Sequence, residues 1–256
     1  MVYLKKLFFF LKIGSRRHLI FATDAQLSVL SGAKNWYVDG TFKLCKAPFT
    51  QLLTVNAFVR REDHAKQVPL VFALMSGKKK KDYRAVIREI ISHLGQPSIK
   101  KVTVDFERAI WSAFQKVLPE VRIMGCAFHW SQALWRKYIN NTWISSTTWH
   151  PSCWSVFQQS VRTNNDTEGW HHGLNRRAQG KSQLPFYLLV ELLFHEAKLT
   201  SLQIRLVSDK KLKRIQRKEY RNVQARLFEA WDKYQDGDIS VERLLKTASH
   251  LVASQI

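Results

Sequence analysis

The stretch Asp82-Tyr83-Arg84-Ala85-Val86-Ile87-Arg88-Glu89-Ile90-Ile91-Ser92-His93-Leu94-Gly95, followed shortly by Val102-Thr103-Val104-Asp105, decides the fold class. Its apolar residues Tyr83, Val86, Ile87, Ile90, Ile91 and Leu94 recur at helical spacing. Asp82 stands where an N-cap belongs, and Gly95-Gln96-Pro97 ends the helix. Val102–Val104 then reads as a short strand. Upstream the period is that of strands: His18–Ala22, Trp36–Val38, Leu52–Val59 and Val68–Met75 are apolar runs bounded by turn residues. Downstream, Arg108–Val117 reads as helix, Val121–Met124 as strand and Trp130–Tyr138 as helix. The early strands predict an antiparallel meander, and the later alternation predicts right-handed crossovers that add parallel strands. The expectation is an α/β fold, a mixed sheet with helices on its faces.

Past Gly180 the character changes. Leu184–Leu206 predicts an apolar helix with Pro185 in its first turn. A basic helix follows, then the turn Gln235-Asp236-Gly237-Asp238, then an amphipathic helix over Ser240–Ser254. The segment 1–16 is basic and aromatic without a clean period. The reading is therefore an irregular remnant over 1–16, an α/β domain over 17–180, and an all-α basic extension over 181–256.

Composition narrows the function. The 256 residues carry 41 Lys+Arg against 20 Asp+Glu, a formal charge of +21, with 45% hydrophobic residues. Such a chain buries a real core and is no disordered tail. Cys45, Cys126 and Cys153 are too few for a disulfide scaffold and point to a reducing compartment. There is no apolar run long enough for a membrane span. Leu7–Leu11 resembles a signal peptide only superficially, because it is short and no small-residue cleavage site follows.

A surplus of this size points to a polyanion, and nucleic acid is the reading preferred over a merely basic, soluble protein. One basic run is Lys78, Lys79, Lys80 and Lys81, in a loop after Gly77. A second spans Arg205–Arg226 and includes Lys210, Lys211, Lys213, Arg214, Arg217, Lys218 and Arg221. Such runs contact phosphates without reading sequence. They also suit a solvated helix face or a nuclear localisation signal.

With so few acids, their placement matters. Asp39 ends the strand Trp36-Tyr37-Val38, and Asp105 ends Val102-Thr103-Val104. Carboxylates at equivalent ends of neighbouring strands hold hard cations such as Mg2+ or Mn2+. Two such ions activate a water or 3′-hydroxyl and stabilise the leaving oxygen. Glu168, in Arg162-Thr163-Asn164-Asn165-Asp166-Thr167-Glu168, is the candidate third acid. Each residue also has a plain reading: Asp39-Gly40 as a turn, Asp105 as a helix cap, Asn165-x-x-Glu168 as a capping box.

These residues carry a family resemblance. Leu19–Asp24, Trp36-Tyr37-Val38-Asp39-Gly40-Thr41-Phe42-Lys43, Pro69–Gly77 with Tyr83, Asp105-Phe106-Glu107, Gly125-Cys126-Ala127-Phe128-His129-Trp130 and Arg162–His171 resemble the Mutator-like element (MULE) transposase domain. The resemblance covers most of residues 17–178. It implies an RNase H-like domain of the DDE type that cuts DNA at transposon ends and joins them to a target, in the nucleus, using Mg2+ or Mn2+ at a two-metal site. It implies Asp39, Asp105 and Glu168 as the catalytic, metal-holding acids, and DNA, with a homo-oligomer in view, as partners.

Cys126-x-x-His129 matches a Cys/His motif of the family. Two ligands are too few for a structural zinc site, and His171 or His172 could add a third. The preferred reading is a buried Cys and a hydrogen-bonded His in support of the site, with His171 facing the metal pocket or the DNA. Trp143, Trp149, Trp154 and Trp170 read as core residues, with base stacking as the alternative. Glu168 lies 63 positions after Asp105, a shorter link than in members carrying a helical insertion there. Residues 1–16 hold no zinc-finger or helix-turn-helix pattern. The expectation is a truncated copy or a fragment, whose shorter link could still close the sheet but leaves Glu168 short of the aspartates if it is too tight. The competing functions are a transposon-derived DNA-binding or regulatory protein without catalysis, and a generic RNase H-like nuclease.

Overall fold

Strand pairing begins earlier in the chain than the periodicity suggests. The computed structural model describes residues 6–62, 64–126, 150–158, 165–211 and 218–253. The segment expected to be irregular instead supplies β1 (Lys6–Ile13), which pairs antiparallel with β2 (Arg16–Thr23) from Lys6↔Thr23 to Ile13↔Arg16. Gly14 turns the hairpin at φ +61°, a conformation glycine takes without steric cost. Alternation was absent because β1 is an edge strand built on a continuous aromatic run. Phe10, for instance, is exposed.

A helix that period alone does not announce follows, α1 (Asp24–Gly32). It starts in a capping box: Thr23 Oγ1 accepts from Gln26 N at 3.2 Å, and Gln26 Oε1 accepts from Thr23 N at 2.9 Å. Then come β3 (Asn35–Thr41), β4 (Gln51–Arg61), β5 (His64–Met75), α2 (Lys80–Leu94), β6 (Lys101–Val104), α3 (Arg108–Val117) and β7 (Arg122–Gly125). After these lie α4 (Pro151–Trp154), α5 (Asn165–Arg177), α6 (Phe186–Ser208), α7 (Lys218–Gln235) and α8 (Val241–Ala253). The predicted helix over Trp130–Tyr138 lies outside the described residues.

The seven strands form one sheet in the order β1-β2-β5-β4-β3-β6-β7. Neighbours from β1 to β3 are antiparallel; β3/β6 and β6/β7 are parallel. This is the expected mixed α/β sheet flanked by helices, consistent with an RNase H-like fold.

Alternation along each strand feeds two cores. Trp36, Val38, Leu53, Val55, Ala73, Val102 and Val104 pack with Leu30 of α1, Val86 and Ile90 of α2, and Phe114 of α3. Leu19, Leu52, Phe72 and Leu74 point the other way, onto Leu174 of α5 and Leu189 and Leu193 of α6.

Several local expectations are corrected. Lys79, not Asp82, is the N-cap of α2; Asp82 sits at N3 and accepts from Lys79 N at 2.8 Å. Its carboxylate is fully buried because it answers Arg16, with which it pairs, and His18, 3.5 Å away. Lys80 and Lys81 belong to the first turn of α2, so only half of the lysine run is loop. Pro185 caps α6 rather than standing inside it.

The basic run Arg205–Arg226 spans the end of one helix and the start of the next, as the reading of two helices expects. α6 ends at Ser208, Lys210 takes φ +57°, and α7 begins at Lys218. Two compact units result, one comprising Met1–Ser155 with Thr163–Lys213, the other Val156–Arg162 with Arg214–Ile256. The division at 180/181 is therefore displaced: α6 buries Leu189 and Leu193 against the sheet, which makes it part of the α/β unit. The second unit has its own small core of Leu227, Trp231, Leu244 and Leu251.

Candidate active site

The parallel pair β3/β6 runs in the register Asn35↔Lys101, Trp36↔Val102, Tyr37↔Thr103. Two residues further on, Asp39 comes level with Asp105. Trp36, Val38, Val102 and Val104 enter the first core, so by alternation Asp39 and Asp105 belong to the opposite face, where α5 packs. Both stand at the carboxyl ends of parallel strands, the edge at which open α/β sheets bind ligands.

Backbone contacts fix Asp105. Trp111 Nε1 donates to its carbonyl at 2.6 Å, and Cys126 N donates to Val104 O at 3.0 Å. Phe106 lies so close over Gly125 that a Cβ there would fall 2.1 Å from the ring. Glu107, which the sequence reading quoted but gave no role, accepts from the Tyr83 hydroxyl at 3.0 Å; that oxygen in turn accepts from Gln51 Nε2 at 3.0 Å. Burial raises the Tyr83 pKa, and Glu107 and Asp105 push the same way against the opposing Gln51 contact. The phenol is thus a neutral donor.

Asp39 is buried, at 6% exposure. Its Oδ1 accepts from Gly40 N at 2.8 Å, and its Oδ2 lies 3.1 Å from His171 Nδ1. His171 Nε2 lies 3.3 Å from Thr54 Oγ1, which accepts from Asn56 Nδ2 at 3.0 Å. Thr54 and Asn56 come from the neighbouring β4, so the imidazole is held by groups on two strands. Sequence reading singled out His171 but not Thr54 or Asn56. Their only signal was polarity inside an apolar strand.

Besides His171, three ties dock α5. Gln67 Nε2 donates to Thr167 Oγ1 at 2.8 Å. Trp170 Nε1 donates to the buried Glu196 Oε2 at 2.8 Å, and Arg177 Nε pairs with Glu196 Oε1 at 2.6 Å. The Trp170 ring also lies 5.7 Å from that of Phe72, so Trp170 is a packed residue. Trp143 and Trp149 lie outside the described residues, and Trp154 lies on α4.

Glu168 is half-buried on α5, one turn before His171 and on the same side of the helix. The short link therefore still brings α5 to Asp39, through His171. Carboxylates at neighbouring strand ends are the donor type Mg2+ or Mn2+ takes, and Asp39 and Asp105 share such an edge and face. A closed cage does not form: among the described residues no three His, Cys, Asp or Glu side chains are grouped to hold an ion.

Cys126 is fully buried and His172 is exposed; His129 lies outside the described residues. Of the basic residues, Lys78, Lys79, Lys80, Lys81, Lys210 and Lys211 are exposed, with Lys210 pairing to Glu62 at 2.5 Å. Lys213, Arg214 and Arg217 fall outside the described residues. Lys218 and Arg221 lie on α7. No helix among the described residues is long and apolar enough to cross a membrane.

The family model of the MULE transposase domain matches residues 35–133, a span that runs from the first residue of β3 past the end of β7 and contains both aspartates. No match was found among curated proteins or among solved structures.

Proposed function

We propose that this MULE transposase domain acts on DNA as a DDE-type strand-cleaving and strand-joining unit, with Asp39 and Asp105 as the central acids and Glu168 as the third. The supporting observation is the shared register and face of Asp39 and Asp105, with the helix carrying Glu168 packed onto Asp39 through His171.

Asp39 and Asp105 would hold Mg2+ or Mn2+, which supplies an activated water or 3′-hydroxyl and charge stabilisation at the leaving oxygen. The chain's own part is positioning. His171, braced by Thr54, keeps the Asp39 carboxylate turned toward α5. Trp111 and Phe106 fix the turn that presents Asp105. Exposed Lys78–Lys81, at the same strand-end edge, would neutralise phosphates and hold the backbone in place. Transposon ends and target DNA as substrates, a homo-oligomer and a nuclear location belong to this reading.

A second reading is DNA binding without catalysis. It is favoured by the absence of a three-ligand cluster among the described residues and by the engagement of Asp39 with His171. Asp39→Asn separates the two. The catalytic reading expects the change to abolish Mg2+- or Mn2+-dependent DNA cleavage while DNA affinity stays within about twofold and falls steeply with salt. If wild type and variant bind DNA alike and neither cuts, the regulatory reading stands. Comparison of RNA–DNA hybrid with DNA duplex as substrate tests for a generic RNase H-like nuclease.

A further inference from the structure

Phe42 follows Asp39 by three residues, just past the end of β3, and is 50% exposed. Lys78 Nζ sits 4.4 Å from the centroid of its ring. The loop that Phe42 opens is joined to the approach to α6: Gln183 N donates to Lys43 O at 2.9 Å, and Leu184 N donates to Leu44 O at 3.1 Å. Phe49 in the same loop stacks on Phe186, 5.9 Å between centroids and 24° between planes. Phe186 stands edge-on to Tyr187 at 5.8 Å. Phe186 is 41% exposed and Tyr187 83%.

Besides Lys78, the exposed Lys43 and Lys46 share the Phe42 loop, and the exposed Lys181 lies on the approach to α6. Residues 42–50 and 178–190 contain no Asp or Glu. Phe42 and Tyr187 hold much of their ring surface in water rather than in the core, with Lys78 over the first and the exposed Glu191 one turn beyond the second. Rings and lysines so placed suit a ligand with flat apolar faces strung on an anionic backbone.

We propose that Phe42 with Lys78, together with Phe186 and Tyr187, forms a stacking platform for unpaired nucleotides of a DNA strand beside the candidate active site. The rings take base faces, and the lysines take the phosphates between them. Paired duplex DNA offers the lysines the same phosphates but hides its base faces, so the platform selects for bases that have left the stack. This rests on DNA being the substrate, as proposed above, and adds that the strand is locally open where it meets Phe42.

The test uses the full chain and fluorescence anisotropy at one fixed salt concentration. The probes are a labelled oligodeoxythymidylate and a labelled duplex of equal length. Phe42→Ala is expected to weaken single-strand binding about tenfold and duplex binding less than about twofold, and Tyr187→Ala to act in the same direction. Phe42→Trp is expected to keep or tighten single-strand binding. An unchanged melting temperature for Phe42→Ala, expected because the ring is half in water, shows that the fold is intact.

Equal loss on both probes, or no loss on the single strand, overturns the platform. A wild-type chain that binds duplex but not single strand also overturns it, while leaving the transposase reading in place. Stacking that survives alongside cleavage insensitive to Asp39→Asn overturns the catalytic reading and leaves the platform.

Discussion

Gly125→Ala tests how the Asp105 turn is held. Gly125 ends β7 under the Phe106 ring, and an added Cβ would fall 2.1, 2.4 and 2.8 Å from three ring carbons. Its φ is not in the left-handed region, so the backbone accepts alanine. Were the space free, the change would stabilise by about 0.4–1 kcal/mol, by restricting the unfolded chain. The ring reverses the sign. Phe106 stacks on Trp111 at 6.0 Å and 20°, and Trp111 is tied to the Asp105 carbonyl. Moving the ring off the new methyl therefore disturbs both ties.

Overpacking of this kind costs about 1–3 kcal/mol. For a unit of this size a loss of about 2 kcal/mol lowers Tm by roughly 4–8 °C. Equilibrium urea unfolding of wild type, Gly125→Ala, Phe106→Ala and the double variant measures the coupling. In the Phe106→Ala background the same glycine change is expected to be neutral or stabilising, a coupling of about 2 kcal/mol. A Gly125→Ala variant as stable as wild type, or one equally destabilised in both backgrounds, refutes the reasoning.

Two further outcomes follow from buried polar groups. Glu196→Ala removes the acceptor for Trp170 and the partner of Arg177. With Arg177 partly in solvent, the expected cost is about 2–3 kcal/mol, accompanied by faster amide exchange along α5. Exchange confined to α6 would show that the ties do not dock α5. Burial lowers the pKa of His18 from its usual value, outweighing Asp82 beside it, while Arg16 adds to the lowering. The unfolded chain therefore binds the proton first as pH falls below about 6.5, and stability declines with acidification until the folded-state pKa is passed. His18→Gln should flatten that slope in pH-dependent urea melts; an unchanged slope would place its origin elsewhere.

Elements with a strong local period were legible from the sequence. α3 occupies Arg108–Val117 as read, and α2 carries the expected Tyr83, Val86, Ile87 and Ile90 face. α1 was missed because only Gln26, Leu27 and Leu30 are buried, although Thr23-x-x-Gln26 was a readable capping box. β1 was missed because an aromatic run on a sheet edge has no alternation to show. At the candidate site, strand-end logic placed Asp39 and Asp105 on one edge, since register follows from short, regular strands. What stayed hidden was non-local. Thr54 and His171 are 117 positions apart, and Asp82 looked like an ordinary cap because its partners Arg16 and His18 lie far off in sequence, on β2. Such pairings have no periodicity, so no window of sequence reveals them.

The sheet order also sets how much chain each pairing must close. β4 and β5 follow one another and share eleven residue pairs in an antiparallel hairpin, from Arg61↔His64 to Gln51↔Met75. That ladder closes with little loop entropy and can zip while the rest of the chain is still open. The β3/β6 pairing must instead bridge from Asn35 to Lys101, across the whole hairpin and α2. The edge shared by Asp39 and Asp105 therefore depends on the pairing with the longer connection of the two. Until β6 has paired with β3, Asp105 has no place beside Asp39, whatever the state of the hairpin, so the two carboxylates share an edge only where the scaffold that restrains them is closed.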